Sequence, residues 1–370
     1  MGNGYLCEQM ESVMHIQPLL AGALRKRPLV IAGPCSAERE EQVMATARAL
    51  AAGGRTDIFR VGVWKPRTRP GRFEGAGEVA LPWVARAAKE TGIPAAIEIA
   101  NPKHLELALK HQIHLFWLGA RTVVNPFMVQ ELADALKGLE VAVMVKNPVN
   151  PDINLWMGAL ERLYKAGITR LAAVHRGFSH FESAPLRNKP FWEIPIALKR
   201  RVRNLPVITD PSHICGQRAL LREVAQKAMD LEMDGVMIET HINPDEALTD
   251  ARQQVTPEAL HALLDSLTIR KVAMAESFEQ QVQKWRGIID EKDQELLNVL
   301  SSRLAAVAEI GKLKKDHHVT ILQIDRWNQT VERYLEEAVK FGINPDFIKR
   351  MLWLLHEESI RLQEDIFREE

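Results

Sequence analysis

Short apolar runs rich in valine and isoleucine alternate with longer segments of helical periodicity from Pro28 to about Thr268. Such alternation is the pattern of repeated βα units. The runs predict strands at residues 29–33, 58–64, 95–100, 115–119, 141–145, 171–174, 207–209 and 236–239. Helices are predicted at residues 38–52, 79–91, 102–111, 126–136, 153–166 and 217–232. Eight units within roughly 240 residues favour a closed (β/α)8 TIM barrel over an open doubly wound sheet.

The strand pattern stops after Thr268, and residues 276–370 have helical periodicity with breaks only at 317–321 and 342–345. Apolar positions of the first predicted helix follow a near-heptad spacing, which indicates a long amphipathic helix. We therefore predict an α/β plus all-α fold, with a barrel at residues 1–268, a linker at 269–276 and a three-helix domain at 277–370. A chain of 370 residues exceeds one ordinary core, which agrees with two domains.

The composition is that of a soluble globular protein, with 46% hydrophobic and 26% charged residues. Its 48 basic and 48 acidic residues cancel, so no nucleic-acid surface is expected. The 3 cysteines are too few for a disulfide framework and favour a reducing compartment. The sequence lacks a signal-peptide pattern and any apolar run near the ~20 residues of a membrane span, so a cytoplasmic location without a membrane partner is expected.

Each predicted strand is followed at once by a charged or metal-capable side chain, and these side chains are Cys35, Lys65, Glu98, Arg121, Lys146, Arg176, His213 and Glu239. In a barrel the carboxyl ends of the strands share one mouth, where the chemistry resides. The mouth is rich in cations, namely Arg60, Lys65, Arg67, Arg121, Lys146 and Arg176. These would repel one another unless an anion neutralises them, and guanidinium forks suit phosphate oxygens. The alternative for each is a solvated loop charge.

A second set of mouth residues offers metal ligands: Cys35, His213, Glu239 and Asp250. They follow the first, seventh and eighth strands, which become neighbours when a barrel closes. One thiolate, one imidazole and two carboxylates suit a divalent transition metal, with Mn favoured and Fe, Co or Zn as alternatives. Taken singly, Cys35 would be a small buried apolar residue and His213 a hydrogen-bonded turn residue. Their occurrence together at one rim favours the metal.

The motifs at the strand ends carry a family resemblance: AGPCS at 32–36, KPRT at 65–68, GAR at 119–121, DPSH at 210–213 and MIETH at 237–241. In this order they resemble the signatures of short 3-deoxy-D-arabino-heptulosonate 7-phosphate (DAHP) synthases. The resemblance implies condensation of phosphoenolpyruvate with erythrose 4-phosphate, with Cys35, His213, Glu239 and Asp250 as metal ligands. It further implies that phosphoenolpyruvate is held by Lys65, which is catalytic, with Arg121, Lys146 and Arg176. Erythrose 4-phosphate would be held by Arg60, Arg67 and Thr68.

A sister family makes the eight-carbon sugar acid phosphate from arabinose 5-phosphate on the same barrel. That family typically has Lys-Ala-Asn-Arg where this chain has KPRT at 65–68, so the tetrapeptide favours the four-carbon aldose. Several positions depart from the DAHP synthase pattern: Val61 stands for a usual glycine, Arg69 for a common serine and His175 for a frequent glutamate. Asn147-Pro148 after Lys146 also stands for the commoner Arg-Gly.

Cations also lie on the first helix of the predicted helical domain. Arg303 and Lys314 are 11 residues apart, so at ~100° per residue they share a face. Arg286 lies ~25 Å before Arg303 along the axis and cannot easily serve the same pocket unless a partner chain supplies it. A solvated polar face is the alternative. Against that alternative, Ser359 and Gln363 lie at i and i+4 on the last helix, where both can face a ligand.

The spacing of Arg286, Asp293, Arg303, Gly311, Lys314, Asp325, Arg326, Ser359 and Gln363 resembles that of the all-helical chorismate mutases. The resemblance implies an intertwined homodimer that converts chorismate to prephenate, with Arg286 supplied by the second protomer. Arg286 and Arg303 would clamp carboxylates, while Lys314 and Gln363 would bond the ether oxygen. Arg326, Ser359 and Gln323 would complete the substrate site. Gln323 replaces a common aspartate, and Trp327 replaces a glutamate that usually contacts the substrate hydroxyl.

Two further hypotheses concern the helical domain as a whole. Chorismate or prephenate bound there is expected to regulate the barrel by feedback, which requires two distinguishable states. Alternatively, the helices form a dimerising or sensing module without catalysis, because long amphipathic helices associate readily.

Overall fold

The computed structural model describes residues 14–20, 28–66, 71–181, 185–270 and 276–368. The chain divides into two compact units, Met1–Arg270 and Lys271–Glu370. This division lies within the predicted linker, while the domain limits at residues 268 and 277 remain a prediction.

The first unit is a closed barrel of eight parallel strands in sequential order. The strands are β1 Leu29–Gly33, β2 Ile58–Val61, β3 Ala95–Glu98, β4 Leu115–Leu118, β5 Ala142–Lys146, β6 Arg170–His175, β7 Val207–Thr209 and β8 Gly235–Glu239. Pairing of β1 with β8, from Leu29 opposite Gly235 to Gly33 opposite Glu239, closes the sheet. The predicted barrel is therefore confirmed.

Helices surround the strands. They are α1 Glu40–Ala52, α2 Leu81–Thr91, α3 Pro102–Lys110, α4 Ala120–Val123, α5 Pro126–Leu136, α6 Ile153–Lys165, α7 Glu193–Arg201, α8 Pro211–Cys215, α9 Leu221–Asp230 and α10 Pro257–Asp265. All six predicted helices are present. Several N-termini carry the capping signals that their sequences contain; Asn125 and Asp152, for example, accept backbone N–H groups of α5 and α6. Helices α4, α7, α8 and α10 were not predicted. Helix α7 has proline at its third position and a basic last turn.

Alternation along each strand divides the barrel core into two layers. Val30 and Ala32 face the helices, while Leu29 and Ile31 pack inside the barrel with Trp117. On β2 the same alternation directs Ile58 and then Arg60 inwards. The apolar interior fills the lower part of the barrel, and inward positions become polar at the carboxyl ends of the strands. That change positions the candidate site.

The second unit contains three helices within residues 276–368: α11 Glu276–Asp316, α12 Ile324–Lys340 and α13 Pro345–Arg368. The predicted helices and both breaks are confirmed. Its buried core is small and centres on Ala338, Ile348 and Leu352. Large apolar side chains of α11 are solvent-exposed in the single chain, and these are Trp285, Ile289, Leu296, Leu297, Val299, Ile310 and Leu313. None of the described helices is long and apolar enough to cross a membrane.

Candidate functional site

A cavity of about 510 Å³ opens at the carboxyl ends of the barrel strands. Seven of the predicted mouth residues line it, namely Lys65, Glu98, Arg121, Lys146, Arg176, His213 and Asp250. Arg72, Arg187 and Asn188 line it as well. The strand ends therefore share one mouth, as the sequence predicts, and its wall is strongly cationic.

The four predicted metal ligands come together at this mouth. Ligand atoms of Cys35, Glu239 and Asp250 all lie within 4.8 Å of one another. Sγ of Cys35 is 3.6 Å from Oδ2 of Asp250. Nε2 of His213 is 3.7 Å from Oε1 of Glu239, which adds the imidazole to the group. A mixed sulfur, nitrogen and oxygen set at these separations can hold a transition metal.

Cys35 owes its position to close backbone packing between the ends of β1 and β2. Its amide donates a 2.9 Å hydrogen bond to Oε1 of Gln254, and its carbonyl accepts a 2.8 Å bond from Nζ of Lys65. A Cβ at Gly62 would collide with the backbone oxygen of Cys35, so only glycine fits there. The Val61 departure precedes this glycine and leaves the packing intact.

Asp250 adopts a left-handed backbone conformation, with φ of 46°. This conformation is uncommon for a non-glycine residue, and it persists where surrounding contacts impose it. The preceding Thr249 shares a 2.6 Å hydrogen bond with Ser36, next to Cys35. On the other side, Nη1 of Arg187 is 3.2 Å from Oδ1 of Asp250. The loop therefore directs the carboxylate toward the thiol.

His213 is oriented by Asp210, which caps α8 by accepting the His213 amide at 3.1 Å. Oδ2 of Asp210 lies 2.7 Å from Nδ1 of His213 and accepts a 3.0 Å bond from Nζ of Lys146. With Nδ1 turned toward this carboxylate, Nε2 is left to face Glu239. A carboxylate behind a histidine in this way fixes the ring and strengthens it as a metal ligand.

Burial and neighbouring charges both shift the pKa values of the proposed metal ligands. Burial, reinforced by Glu239, raises the pKa of the Cys35 thiol to about 12. Burial alone would raise the pKa of Glu239, but His213 and Arg60 outweigh it and lower that pKa. Buried Oε1 of Glu239 accepts no hydrogen bond from the described residues. A cation at this point would stabilise the thiolate and satisfy the carboxylate oxygen, so the residues fit a metal.

Arg60 is buried near the carboxyl end of β2, beneath the mouth, and is not among the cavity-lining residues. It is 1% exposed, with Nη2 at 3.2 Å from Oε1 of Glu239 and its guanidinium 5.0 Å from the ring centre of Trp117. Its Nε and Nη1 have no hydrogen-bond partner within the described ranges. From its sequence, Arg60 is predicted to hold the sugar phosphate, and that role remains a prediction. Arg67 and Thr68 lie outside the described residues.

The remaining predicted cations line the cavity on separate loops. Arg121 donates a 2.9 Å bond to the carbonyl of Pro66. Arg176 donates a 3.0 Å bond to Oδ1 of Asn188, and burial lowers the pKa of its guanidinium to about 10. The Arg176 guanidinium therefore remains positively charged at neutral pH. Both guanidinium groups lie at the mouth with Lys65, as an anionic substrate requires.

Sequence reasoning missed three supporting residues. Asp210 was visible within the DPSH motif as a helix cap, but its contacts with His213 and Lys146 depend on the fold. Arg187 lies in the loop between β6 and α7, where the sequence has no periodic pattern, so nothing in the sequence predicted its contact with Asp250. The sequence predicts Trp117 only as a core residue, but its Nε1 donates a 3.0 Å hydrogen bond to Glu98. It thereby joins the apolar floor to the cavity wall.

In the helical domain the structure unites some of the predicted residues. Nη1 of Arg303 donates a 2.9 Å bond to Oγ of Ser359, and Nε2 of Gln363 donates a 3.1 Å bond to the Ser359 carbonyl. Oε1 of Gln363 is buried without a hydrogen-bond partner in the described part of the chain. Lys314 donates a 2.5 Å bond to the carbonyl of Ile321. Arg286, Gln323 and Arg326 are exposed on α11 and at the start of α12.

Gly311 allows α11 and α13 to approach closely. A Cβ there would lie 3.0 Å from Cδ1 of Ile366 and 3.1 Å from Cγ of Gln363. Such separations are tighter than ordinary van der Waals contact, so the glycine explains how Gln363 reaches the face of α11. The glycine is a packing element of the candidate helical site.

Metal sites and clusters of cations occur on many barrels and helical bundles. Comparison with known families assigns the barrel site and the helical site more narrowly. Residues 17–276 match the DAHP synthetase I family, which is well over half of the chain. The chain belongs to the DAHP synthetase I family. Residues 285–364 match the family Chorismate mutase type II. The chain thus carries a DAHP synthase domain, which is a transferase, and a chorismate mutase domain, which is an isomerase. It is a bifunctional shikimate-pathway enzyme.

Individual relatives agree with this assignment. The phospho-2-dehydro-3-deoxyheptonate aldolase of Thermotoga maritima is 29% identical over 238 residues, 64% of this chain and 68% of that protein. A crystal structure of the DAHP synthase of Thermotoga maritima has a TM-score of 0.58 at 27% identity, covering 64% of this chain and 67% of that one. The 2-dehydro-3-deoxyphosphooctonate aldolase of Nitratidesulfovibrio vulgaris is 28% identical, over 67% of this chain and 94% of that protein. The T-protein of Haemophilus influenzae is 32% identical over 83 residues, 22% of each chain.

Proposed function

We propose that the barrel mouth of this DAHP synthase domain condenses phosphoenolpyruvate with erythrose 4-phosphate at a single metal. The convergence of Cys35, His213, Glu239 and Asp250 beside a cationic cavity is the observation that supports the proposal. A divalent transition ion, when bound, polarises an aldehyde carbonyl as a Lewis acid. Manganese is the proposed ion, and iron, cobalt and zinc also suit the ligand set.

The protein's own contribution is to bind and orient two anions. Lys65, Arg121, Lys146 and Arg176 surround the space where a phosphate and a carboxylate would lie. Lys65 occupies the junction between this space and the metal ligands, because its Nζ bonds the carbonyl of Cys35. Holding both substrates in this geometry converts their encounter into an intramolecular reaction. Arg60, Arg67 and Thr68 are proposed to hold the sugar phosphate.

Chelation tests the metal assignment. Treating the full chain with a chelator should abolish condensation, and adding Mn²⁺ should restore it. The product is measured together with phosphate release. Activity that survives complete removal of metal would contradict the proposal.

The four-carbon aldose is proposed over arabinose 5-phosphate, the substrate expected for the rival family. The KPRT motif at residues 65–68 supports this choice, and the match to 2-dehydro-3-deoxyphosphooctonate aldolases motivates its test. Condensation should be at least tenfold more efficient, as kcat/KM, with erythrose 4-phosphate than with arabinose 5-phosphate. A preference for the pentose phosphate would assign the barrel to the sister activity.

For the helical domain, we infer that Arg303, Lys314 and Gln363 catalyse the rearrangement of chorismate to prephenate. The reaction needs no nucleophile, because negative charge develops on an ether oxygen in a concerted transition state. Lys314 and Gln363 are proposed to bond that oxygen, and Arg303 a carboxylate, as preorganised electrostatic groups. Ser359 orients Arg303 through their 2.9 Å hydrogen bond. Arg326 and Gln323 are proposed to contact the substrate from α12.

Replacing Arg303 separates catalysis from a non-catalytic dimerising or sensing module. Arg303→Ala should reduce mutase turnover at least a hundredfold and leave condensation unchanged. Arg361→Ala is the matched control, because Arg361 is an exposed arginine that pairs with Glu358 on α13. If both variants retain full mutase turnover, the module hypothesis replaces the catalytic one.

The mutase site is proposed to require an intertwined homodimer. Arg286 is exposed in the single chain, and the apolar side chains of α11 around it lack a cover within the described residues. Mixing the Arg286→Ala and Arg303→Ala variants tests this proposal directly. Heterodimers combine one intact Arg286 with one intact Arg303 across the interface, so about a quarter of the wild-type activity should return. Failure of the mixture to recover activity, while subunits exchange, would place Arg286 outside the site.

Feedback regulation of the barrel activity by a ligand of the helical domain is also proposed. Chorismate or prephenate bound at the helices is proposed to change barrel turnover, which requires a coupling free energy between two sites. The coupling is measured as the change in condensation rate with increasing prephenate concentration, and Arg303→Ala is the non-binding control. A rate and affinity that stay constant at saturating prephenate would remove the feedback hypothesis.

A further inference from the structure

His356 lies on the same face of α13 as two residues of the proposed mutase site. It precedes Ser359 by three positions and Gln363 by seven, a spacing that aligns side chains along one helical stripe. Ser359 and Gln363 are each 7% exposed and point at α11. Arg303 of α11 also lies 3.5 Å from the carbonyl of Leu355, the residue before His356. The imidazole is therefore adjacent to the cationic end of the site.

The imidazole is held by stacking rather than by hydrogen bonds. Its ring lies parallel to the indole of Trp327 from α12, with centres 4.0 Å apart and planes inclined by 20°. Trp353 meets the same indole edge-on at 6.1 Å. Face stacking leaves the edge of the imidazole, which carries both nitrogens, uncovered by Trp327. Within the described residues neither nitrogen makes a hydrogen bond or ion pair.

The hydroxyl of Ser359 on this stripe is already engaged, and Gln363, whose Oε1 makes no hydrogen bond within the described residues, is proposed to bond the ether oxygen instead. Oγ of Ser359 donates a 2.5 Å bond to the carbonyl of Leu355 and accepts one from Arg303. Arg303 and Lys314 carry positive charge, which matches carboxylates and a developing oxyanion. The ring hydroxyl of chorismate is neutral, and it can donate a hydrogen bond to a neutral acceptor or accept one from a neutral donor. Trp327 cannot accept a hydrogen bond, because its indole N–H is a donor only.

His356 has the required protonation state. Partial burial, together with the positive charges of Arg303 and Lys314, lowers the pKa of its imidazole. The ring is therefore neutral at pH 7, with one nitrogen as donor and the other as acceptor.

We propose that His356, held in place by the indole of Trp327, binds the ring hydroxyl of chorismate in the helical site. The proposal rests on the mutase function of that site. It assigns hydroxyl recognition to the imidazole on α13. Trp327 then acts as a positioning residue.

A substrate comparison in the full-length protein tests the proposal. The readout is kcat/KM for chorismate and for an analogue that lacks the ring hydroxyl, in wild type and in His356→Ala. A lost neutral hydrogen bond should reduce kcat/KM for chorismate about tenfold in the variant. The same substitution should leave kcat/KM for the deoxy analogue within about twofold, because the interaction is absent there already. His356→Gln retains a donor and an acceptor and should recover part of the loss.

Equal losses for both substrates would show that His356 only packs the helices and would overturn the proposal. Unchanged kcat/KM for both substrates would overturn it as well. Arg303→Ala, assayed in parallel, keeps the two proposals distinct. Full activity in that variant refutes the catalytic site, whereas its loss beside equal losses in His356→Ala refutes the hydroxyl contact alone. If the wild-type protein neither converts nor binds chorismate in calorimetry, both proposals fail.

Discussion

The two domains place cationic chemistry in opposite surroundings. In the barrel, Lys146 and Asp210 form an ion pair inside a closed sheet, and Arg60 lies against Glu239 beneath the mouth. In the helical domain, Arg286 is exposed and the neighbouring Trp285 is 64% exposed. A closed barrel desolvates its strand ends within one chain, whereas a single long helix cannot cover its own apolar stripe. The proposed metal ligands of the barrel therefore lie together within one chain, and the helical site is proposed to need two chains.

Removing the thiol should give the largest effect, confined to the barrel. Cys35→Ala should abolish stoichiometric metal binding and lower condensation about a thousandfold, because Lewis-acid stabilisation contributes several kcal/mol. Mutase turnover in the same protein should not change. Cys215→Ala is the matched control, since Cys215 is also a buried cysteine but lies outside the ligand group. Metal content by mass spectrometry and both activities are measured, and equal effects of the two substitutions would contradict the assignment.

Acid should weaken the barrel through His175. Burial lowers the pKa of His175 to about 4, while the unfolded chain binds its proton near the ordinary value of 6.5. The contribution to stability is therefore complete above about pH 6.5 and is lost as pH falls toward 4, by about 3 kcal/mol in total. His175→Gln removes this titration. Urea unfolding of the barrel at pH 7.5 and 4.5 should show a smaller pH dependence in the variant, and an identical pH dependence would exclude His175 as its source.

Asp210 should affect the metal affinity although it is not one of the proposed metal ligands. Asp210→Asn keeps a similar shape but loses the charge that orients His213 and pairs with Lys146, so metal affinity should fall about 10- to 100-fold. Asp245→Asn is the control, because Asp245 is an exposed carboxylate that pairs with Arg218. Competition with a metal indicator measures both affinities. Unchanged affinity in Asp210→Asn would mean that His213 needs no orienting carboxylate.

The smallest effect concerns packing of the helical domain and uses two glycines of α11. Gly311→Ala places a methyl group against Ile366 and Gln363 and should destabilise the domain by about 1 to 2 kcal/mol. A methyl group at Gly287 would meet no atom of the described residues within 4 Å in the single chain, so Gly287→Ala should be neutral or stabilise by up to ~1 kcal/mol. Thermal unfolding measures both. Equal stabilities for the two variants would remove the close-packing role of Gly311.

The strands of the barrel were accessible from sequence because inward and outward positions are both apolar at their centres. Predicted and observed strand limits agree at both ends for β1 and β7, and the other six strands differ by one to three residues at one or both ends. The mouth residues followed from the same logic, since a residue after a strand must lie at its carboxyl end. The alternation along β2 from Ile58 also predicts that the side chain of Arg60 points into the barrel. The sequence nevertheless suggested Arg60 only as one of the cations of the mouth.

Contacts between loops were not accessible. The pair Arg187–Asp250 joins two loops that are distant in sequence, and the separation of these side chains depends on loop conformation, which no periodic pattern encodes. The stacking of Trp327 on His356 is a similar case, because aromatic residues on two helices predict burial without predicting which rings meet. Sequence therefore located the elements and the mouth, while the supporting contacts required the fold.

Binding of Co²⁺ tests directly whether Cys35, His213, Glu239 and Asp250 hold a metal ion. Co²⁺ bound to the full-length protein should show a sulfur-to-metal charge-transfer absorption at one ion per chain. We expect this absorption to disappear in Cys35→Ser and to persist in Cys215→Ser. A charge-transfer band that is retained in Cys35→Ser, or that never forms in the wild-type protein, would contradict a metal held by Cys35, His213, Glu239 and Asp250.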